Sequence, residues 1–284
     1  MTQHSGPIVG QRDNLTAIDC EHCEFIHLDP IPDTAIYREG FYHREVKPDM
    51  LKDYTEDRQW WNSVYGDWMV LLYTHRNVRR LLDIGSGTGD FVTAAASLFP
   101  IVLGAEPDEN MANLNSMVMQ AEYAEVNSTG WDVISSHWTL EHLPDPAHFF
   151  RWTRDRLDDG GLLLLTIPND FSPLQQQVMD YGLLSIPDYY WLNEHHSNYW
   201  NHASFTKLLT RHGYEVLEVY GSWEPEQYLL NGVNYLRDHK LGRTIHGDRQ
   251  TMDLQLSREV RLAKYLQMGR EGRGRDLTFL ARKI

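Results

Sequence analysis

The chain is short of three things, and each shortage narrows what it can be. Its 284 residues include only two cysteines, Cys20 and Cys23, set as C-x-x-C in DCEHCEFIHLDPIP. A structural zinc site wants four ligands and no second cysteine pair exists, so no metal is expected and the pair reads as reduced thiols at a turn before a strand. Zinc is the minority alternative, with His22, His27 or distant histidines as the missing ligands. Basic residues are also scarce: 26 Lys and Arg against 40 Asp and Glu give a formal charge of −14. That leaves no broad basic surface for nucleic acid and reads most simply as solubility. Finally, no run of 18 apolar residues occurs, and residues 1–19 lack the hydrophobic core of a signal peptide. A soluble, cytoplasmic protein with no membrane partner is expected.

What is present centres on RLLDIGSGTGDF at residues 80–91. An apolar run of strand length ends at Asp83, and Gly85, Gly87 and Gly89 then alternate before a helix-compatible segment starting near Asp90. This predicts strand, glycine turn and helix, with a backbone able to take positive φ and approach a flat, nucleotide-like ligand. A dinucleotide fingerprint needs Gly or Ala where Asp90 stands, and a carboxylate there would repel a diphosphate. No Gly-Lys-Ser/Thr follows either, so the Walker pattern fails. The next apolar run, IVLGA, ends in Glu106, about 20 residues beyond the first glycine, where an acid can take both hydroxyls of a ribose. The spacing therefore points to a ligand with a ribose and no pyrophosphate.

DIGSGTGDF, then GAEPDENM, then WDVISSHWTLEHLPDP, and a Gly-Gly-Leu strand ending in IPND together resemble the class I S-adenosylmethionine-dependent methyltransferases of the small-molecule type. The likeness runs from about Leu81 to Ile167 and continues more weakly to the end. It implies an α/β, doubly wound, seven-stranded Rossmann-like sheet with helical cap insertions, and S-adenosylmethionine (SAM) as cofactor. By the same resemblance Asp83, Gly85, Gly87 and Gly89 line the methionine and ribose part, Glu106 binds the ribose hydroxyls, and Ala121 and Glu122 fall near the adenine. His137 ends the fourth strand, beside the place of the reactive sulfonium. Similar methyltransferases also carry an N-terminal C-x-x-C segment.

The rest of the chain is read around that core. Strands are predicted near 80–84, 101–105, 116–120, 131–136, 161–167, 214–220 and at DLTFLARK, with Pro144 and Pro146 starting a helix that Gly160-Gly161 closes. Residues 1–47 form an extension and 48–284 the catalytic domain, with insertions at 168–202 and 221–272. The second replaces a short hairpin and suggests a cap over the acceptor. From Pro48 to Arg80 apolar residues recur at three and four, predicting one or two amphipathic helices whose aromatic stripe is mainly core. Tyr54, Arg58 and Trp61 are the candidates in it for a lid over the cofactor.

Methyl transfer to a hydroxyl needs a base, and histidine suits that role because it titrates near the working pH. The candidates, in order, are His196, His195 and His142. The first two lie in NEHHSNYW, which resembles the H-H-x-N-Y-F segment that faces the acceptor in similar enzymes and adds Tyr199 as a substrate contact. Arg243, His246 and Arg249 or Gln250 recur at three and four in the second insertion and could receive an anionic group. A solvated helix face paired with Asp238 and Asp248 explains them as well. The expected function is SAM-dependent methylation of a hydroxyl of a small metabolite, such as an anionic, sugar-derived or natural-product intermediate, with nitrogen and carbon ranked behind oxygen. A catalytically inactive SAM-binding or assembly protein is the alternative. An NAD-dependent dehydrogenase is opposed by Asp90, and a nucleic-acid methyltransferase by charge and by the lack of an N-P-P-Tyr type motif. Oligomeric state is not encoded in any of these signals.

Overall fold

A computed structural model describes residues 4–32, 37, 57–185, 192 and 195–284. The chain begins with β1 (Ile8–Arg12), β2 (Leu15–Cys20) and β3 (Phe25–Leu28), followed by α1 (Arg58–His75) and β4 (Arg80–Ile84). Helices and strands then alternate through α2 (Asp90–Ala96), β5 (Ile101–Glu106), α3 (Glu109–Ala112), β6 (Val118–Gln120), β7 (Trp131–His137), α4 (Pro146–Arg156) and β8 (Leu157–Pro168). Beyond them lie α5 (Pro173–Asp180), β9 (Asn198–Tyr199), α6 (His202–Arg211), β10 (Tyr214–Gly221), α7 (Glu226–Leu230), α8 (His239–Gln255), α9 (Arg258–Arg270) and β11 (Asp276–Lys283).

Seven strands form the main sheet in the order β6-β5-β4-β7-β8-β11-β10. The first five run parallel, and β11 is antiparallel to both neighbours. Strand β4 lies between β5 and β7, so the strand order reverses at its carboxyl end and opens a crevice there. The apolar runs of these strands follow from burial on both faces. In β8, Leu162 and Leu164 pack with Val64, Phe91 and Tyr265, while Leu163, Leu165 and Ile167 pack with Phe149, Phe150 and Phe205 on the other side. A second, four-stranded sheet, β1-β2-β3-β9, ties the N-terminal segment to the stretch after the paired histidines.

Helix α4 starts at Pro146, as expected, but ends at Arg156; Asp145 caps it by accepting from the His148 amide. Gly160 and Gly161 instead lie inside β8, where the pairing with β7 slips from Trp131↔Leu157 to Val133↔Leu162. Gly160, at φ 65°, lets the chain accommodate the extra residues of this bulge. The glycine pair that reads as a helix stop serves strand register.

The aromatic stripe before β4 is one helix, α1, in its described part, and Trp60, Val64, Tyr65, Trp68, Leu71 and Leu72 are all buried. The 221–272 insertion holds the short helix α7 and a pair, α8 and α9, that packs on α1 and β10. Arg261 donates to both oxygens of fully buried Asp67, each at 2.8 Å, and the Tyr220 hydroxyl donates to Asp67 at 3.0 Å. Asp253 of α8 accepts from the Trp60 indole at 3.0 Å and the Tyr265 hydroxyl at 2.6 Å. Such a buried, fully bonded ion pair fixes where α9 sits, because removing either partner strands a charge without water. Among the described residues no helix is long and apolar enough to cross a membrane.

Candidate functional site

The crevice at the end of β4 is built from the glycine turn. Gly85, Gly87 and Gly89 take φ of 71°, 52° and 74°. Two of the three are crowded by the protein itself: a Cβ at Gly85 would lie 2.2 Å from the Thr139 hydroxyl, and one at Gly89 would lie 2.5 Å from Nδ2 of Asn115. At Gly87 a Cβ would meet nothing within 4 Å, so this residue is the one bare toward open space. Asp90 opens α2 and accepts from the Thr88 hydroxyl at 2.5 Å.

Glu106, at the end of β5, reaches across to this turn. It is 8% exposed, and its carboxylate accepts from the Gly87 amide at 2.8 Å and the Asp108 amide at 3.0 Å. Burial pushes its pKa up to about 7, against the pull of those two amides. Asp83, at the foot of the turn, accepts from the Ser135 hydroxyl at 2.7 Å, and burial likewise raises it to about 7. Two desolvated acids beside a bare glycine suit a ligand that carries hydroxyls and a positive centre. Ala121 joins this wall through its amide, which donates to the Glu106 carbonyl at 3.1 Å. Glu122 caps the short turn at Tyr123–Glu125.

The profile of the methyltransferase domain family matches residues 54–219, more than half of the chain. The chain belongs to this family, as a class I SAM-dependent methyltransferase. A probable fatty acid methyltransferase of Mycobacterium tuberculosis is 33% identical over 100 residues, covering 30% of this chain and 23% of that protein. The match thus spans about a quarter of that relative's length. Among solved structures, magnesium protoporphyrin IX methyltransferase from Synechocystis, with bound SAH, aligns at 12% identity and TM-score 0.55 over 89% of this chain and 100% of that one. A SAM-dependent methyltransferase of Thermotoga maritima, a possible histamine N-methyltransferase, aligns at 15% identity and TM-score 0.51 over 83% and 96%. These two show the shared fold.

SAM is the cofactor of the methyltransferase domain, and the cradle fits it: the bare Gly87 backbone, the buried acid at the end of β5, and a second acid at the end of β4. When bound, it supplies a methyl group on a sulfonium. His137 ends β7 beside Asp83, and its ring is held there by its neighbours. Its ring lies flat on Trp68, 4.5 Å between centroids, its Nδ1 is 2.8 Å from the Thr166 hydroxyl, and its Nε2 stays 4.0 Å from Asp83. Burial drives its pKa down to about 3, so the ring is neutral at the strand end. Of the lid candidates, Arg58 is exposed along a groove with Thr88 and Asp90, Trp61 stands edge-on to Trp138 at 5.4 Å, and Tyr54 lies outside the described residues.

The methyltransferase brings its paired histidines to His142. The segment after β7 crosses the glycine turn at Thr139 and reaches His142 three residues later. There the His142 Nδ1 lies 2.5 Å from the His195 carbonyl, and the Tyr37 hydroxyl donates to the same carbonyl at 2.9 Å while sitting 2.7 Å from that Nδ1. A carbonyl only accepts, so the short Nδ1 contact to it favours the tautomer with its proton on Nδ1. The His196 ring stands edge-on to His142 at 4.9 Å and 6.4 Å from Tyr199, which is buried in β9. Glu141, His142 and His196 offer ligand atoms within 4.8 Å of one another.

The basic set of α8 is less open than its spacing suggests. His246 bonds Asp57 at 3.1 Å and Gln250 at 3.0 Å, and the Arg249 guanidinium lies 4.3 Å over Trp60. Arg243 is exposed, and Asp238 caps the helix by accepting from the Lys240 and Leu241 amides. Arg249 borders an aromatic cavity at the end of β8, walled by Trp60, Trp61, Trp138, Trp223 and Asp253. Asn169 and Asp170 of the PND segment do structural work: the Asn169 amide donates to the Gly272 and Gly274 carbonyls, and Asp170 pairs with Arg275 at 3.1 Å. Tyr37 and Thr139 were not singled out from the sequence. Their partners are more than 50 residues away, so local spacing carries no trace of them.

Proposed function

We propose that this domain transfers the methyl group of SAM to a hydroxyl of a small metabolite in the cytoplasm, with His142 as general base. The observation that supports this reading is the His142 Nδ1 held at the His195 carbonyl, which favours the tautomer with its lone pair on Nε2, on the segment that leads over the glycine turn. Methyl transfer is a direct displacement, so the nucleophile must line up behind the sulfur–methyl bond and shed its proton as it attacks. An amine acceptor reaching the site as free base has its lone pair ready, whereas a hydroxyl gains most from a base, which adds a factor of about 10² to 10⁴. His195 holds the ring by its carbonyl, Tyr37 closes the same point, and His196 flanks it with Tyr199 on its far side. The aromatic cavity beside Trp138 would take the acceptor's body, and Arg249 any carboxylate or phosphate on it. Asp253 and Asp276 in the same wall oppose a strongly anionic acceptor there.

The test is methyl transfer from SAM carrying an isotopic label, offered to panels of hydroxyl, amine and phosphorylated acceptors, with products read by mass spectrometry. Labelled methyl ethers are expected, and His142→Gln should lower kcat by about 10² to 10⁴ with KM little changed. Transfer to amines alone would overturn the oxygen assignment. Bound S-adenosylhomocysteine without transfer to any acceptor would favour the inactive binding protein instead.

A further inference from the structure

We propose that His4, Cys20, Cys23 and His27 form a structural zinc site that fastens the N-terminal sheet to the segment bearing His195 and His196. The four ligand atoms all lie within 4.8 Å of one another. The His4 Nδ1 is 3.6 Å from the Cys20 sulfur, 3.4 Å from the Cys23 sulfur and 3.1 Å from the His27 Nε2. A tetrahedron with Zn–S bonds of about 2.3 Å and Zn–N bonds of about 2.0 Å has edges of roughly 3.3 to 3.8 Å. The three edges at His4 are close to those dimensions, and two thiols with two imidazoles are the donor set that selects zinc over oxygen-seeking cations.

The surroundings are those of a ligand shell. The His27 Nδ1 bonds the Leu28 carbonyl at 2.8 Å, which leaves the lone pair on the Nε2 that faces the cluster. The Cys23 amide donates to the Cys20 sulfur at 3.4 Å, and the turn between the cysteines closes through the Glu24 amide on the Cys20 carbonyl at 2.7 Å, with Glu24 at φ 63°. His4 is delivered by the strand-like pairing of Glu21 with Ser5 and Asp19 with Pro7, both at 2.9 Å. Gly6 makes that approach possible, since a Cβ there would lie 1.9 Å from the Asp19 carbonyl oxygen. Cys20 and His27 are each 1% exposed, while His4 and Cys23 are half-buried and leave a path for the ion. His22 is exposed and outside the cluster.

All four coordination positions come from the protein, which marks a closed, structural site. Strand β3, which carries His27, pairs with β9 through Ile26↔Tyr199 and His27↔Asn198, and the Leu28 amide donates to Ser197 at 2.9 Å. A few short strands bury little apolar surface of their own, and a metal is a common staple for such a unit. Zinc binding releases the two thiol protons to solvent and leaves both sulfurs as thiolates.

The experiment uses the full chain without any added polyhistidine, purified under reducing conditions. Elemental analysis should find one zinc per chain, lost in Cys20→Ser and in His4→Ala and retained in His22→Ala. Cobalt(II) exchanged into the wild type should show thiolate-to-metal charge transfer and tetrahedral d–d bands. Those bands separate this site from Glu141, His142 and His196, which contain no sulfur. Stripping the zinc with a chelator should lower the unfolding temperature. Folded wild type that takes up no zinc, cobalt without a thiolate band, or loss of metal in His22→Ala would each overturn the assignment. If Cys20→Ser fails to fold, the cobalt spectrum of the wild type decides alone.

Discussion

The cofactor end and the proposed acceptor end of this molecule are built by opposite strategies. Around Gly87 the parts come from a short stretch of chain: Asp83, the three glycines and Glu106 lie within 24 positions, and their contacts run between adjacent parallel strands. The acceptor end is assembled from distant pieces: Tyr37 on His142 and His195, Asp57 on His246, Asp67 on Arg261, and β3 on β9. A site made of local turns survives much change elsewhere in the chain. One made of long-range contacts depends on every element being in place, and it can be respecified by altering a few of them.

The contrast is sharpest in stability. Asp67→Ala leaves the Arg261 guanidinium buried and unpaired, and should cost about 3 to 5 kcal/mol in denaturant unfolding, with α8 and α9 losing amide protection from exchange before the parallel sheet does. S-adenosylhomocysteine binding to the protein that remains folded should change little. If the cofactor affinity falls in step with stability, the two ends are not independent. At the cofactor end, Glu106→Gln keeps the shape but loses the charge-assisted bonds, worth about 1.5 to 3 kcal/mol, or roughly 10- to 100-fold in calorimetric Kd.

A smaller effect separates the ends by pH. With Glu106 raised to about 7 in the free protein, most of it holds a proton at pH 6. If the ionised acid receives the ribose, cofactor binding should tighten about tenfold from pH 6 to pH 8 and release protons at the lower value. The sign for stability is the reverse: the folded state binds the proton more tightly than the unfolded chain, so Asp83 and Glu106 withdraw stability as pH rises from their ordinary range to about 7, and no more beyond it. Calorimetry in buffers of different ionisation heat and thermal melts across this window measure both.

The same division explains what could be read in advance. Strand runs at 80–84, 101–105 and 131–136 meet Arg80–Ile84, Ile101–Glu106 and Trp131–His137 almost residue for residue, because burial on both faces writes itself as an unbroken apolar run. The glycine turn was legible since positive φ demands glycine locally. The helix end at Gly160-Gly161 was misread, because a bulge and a helix stop ask for the same residue. Pairings across more than 50 residues left no spacing to read. His246 and Arg249 show the converse: their periodicity on one helix face is real, yet Asp57 and Trp60 of another element decide what that face does.

The position of β11 has a consequence for how the chain is made. This strand enters between β8 and β10, and Leu277, Phe279, Leu280 and Ala281 are fully enclosed there. Synthesis delivers β8 and β10 first, so two apolar strand edges wait unpaired while the intervening helices emerge. The parallel half can form its cofactor turn during that interval. The sheet as a whole closes only when its interior strand arrives last, and shortening the chain before Asp276 would leave a protein prone to associate through those two edges rather than a smaller enzyme.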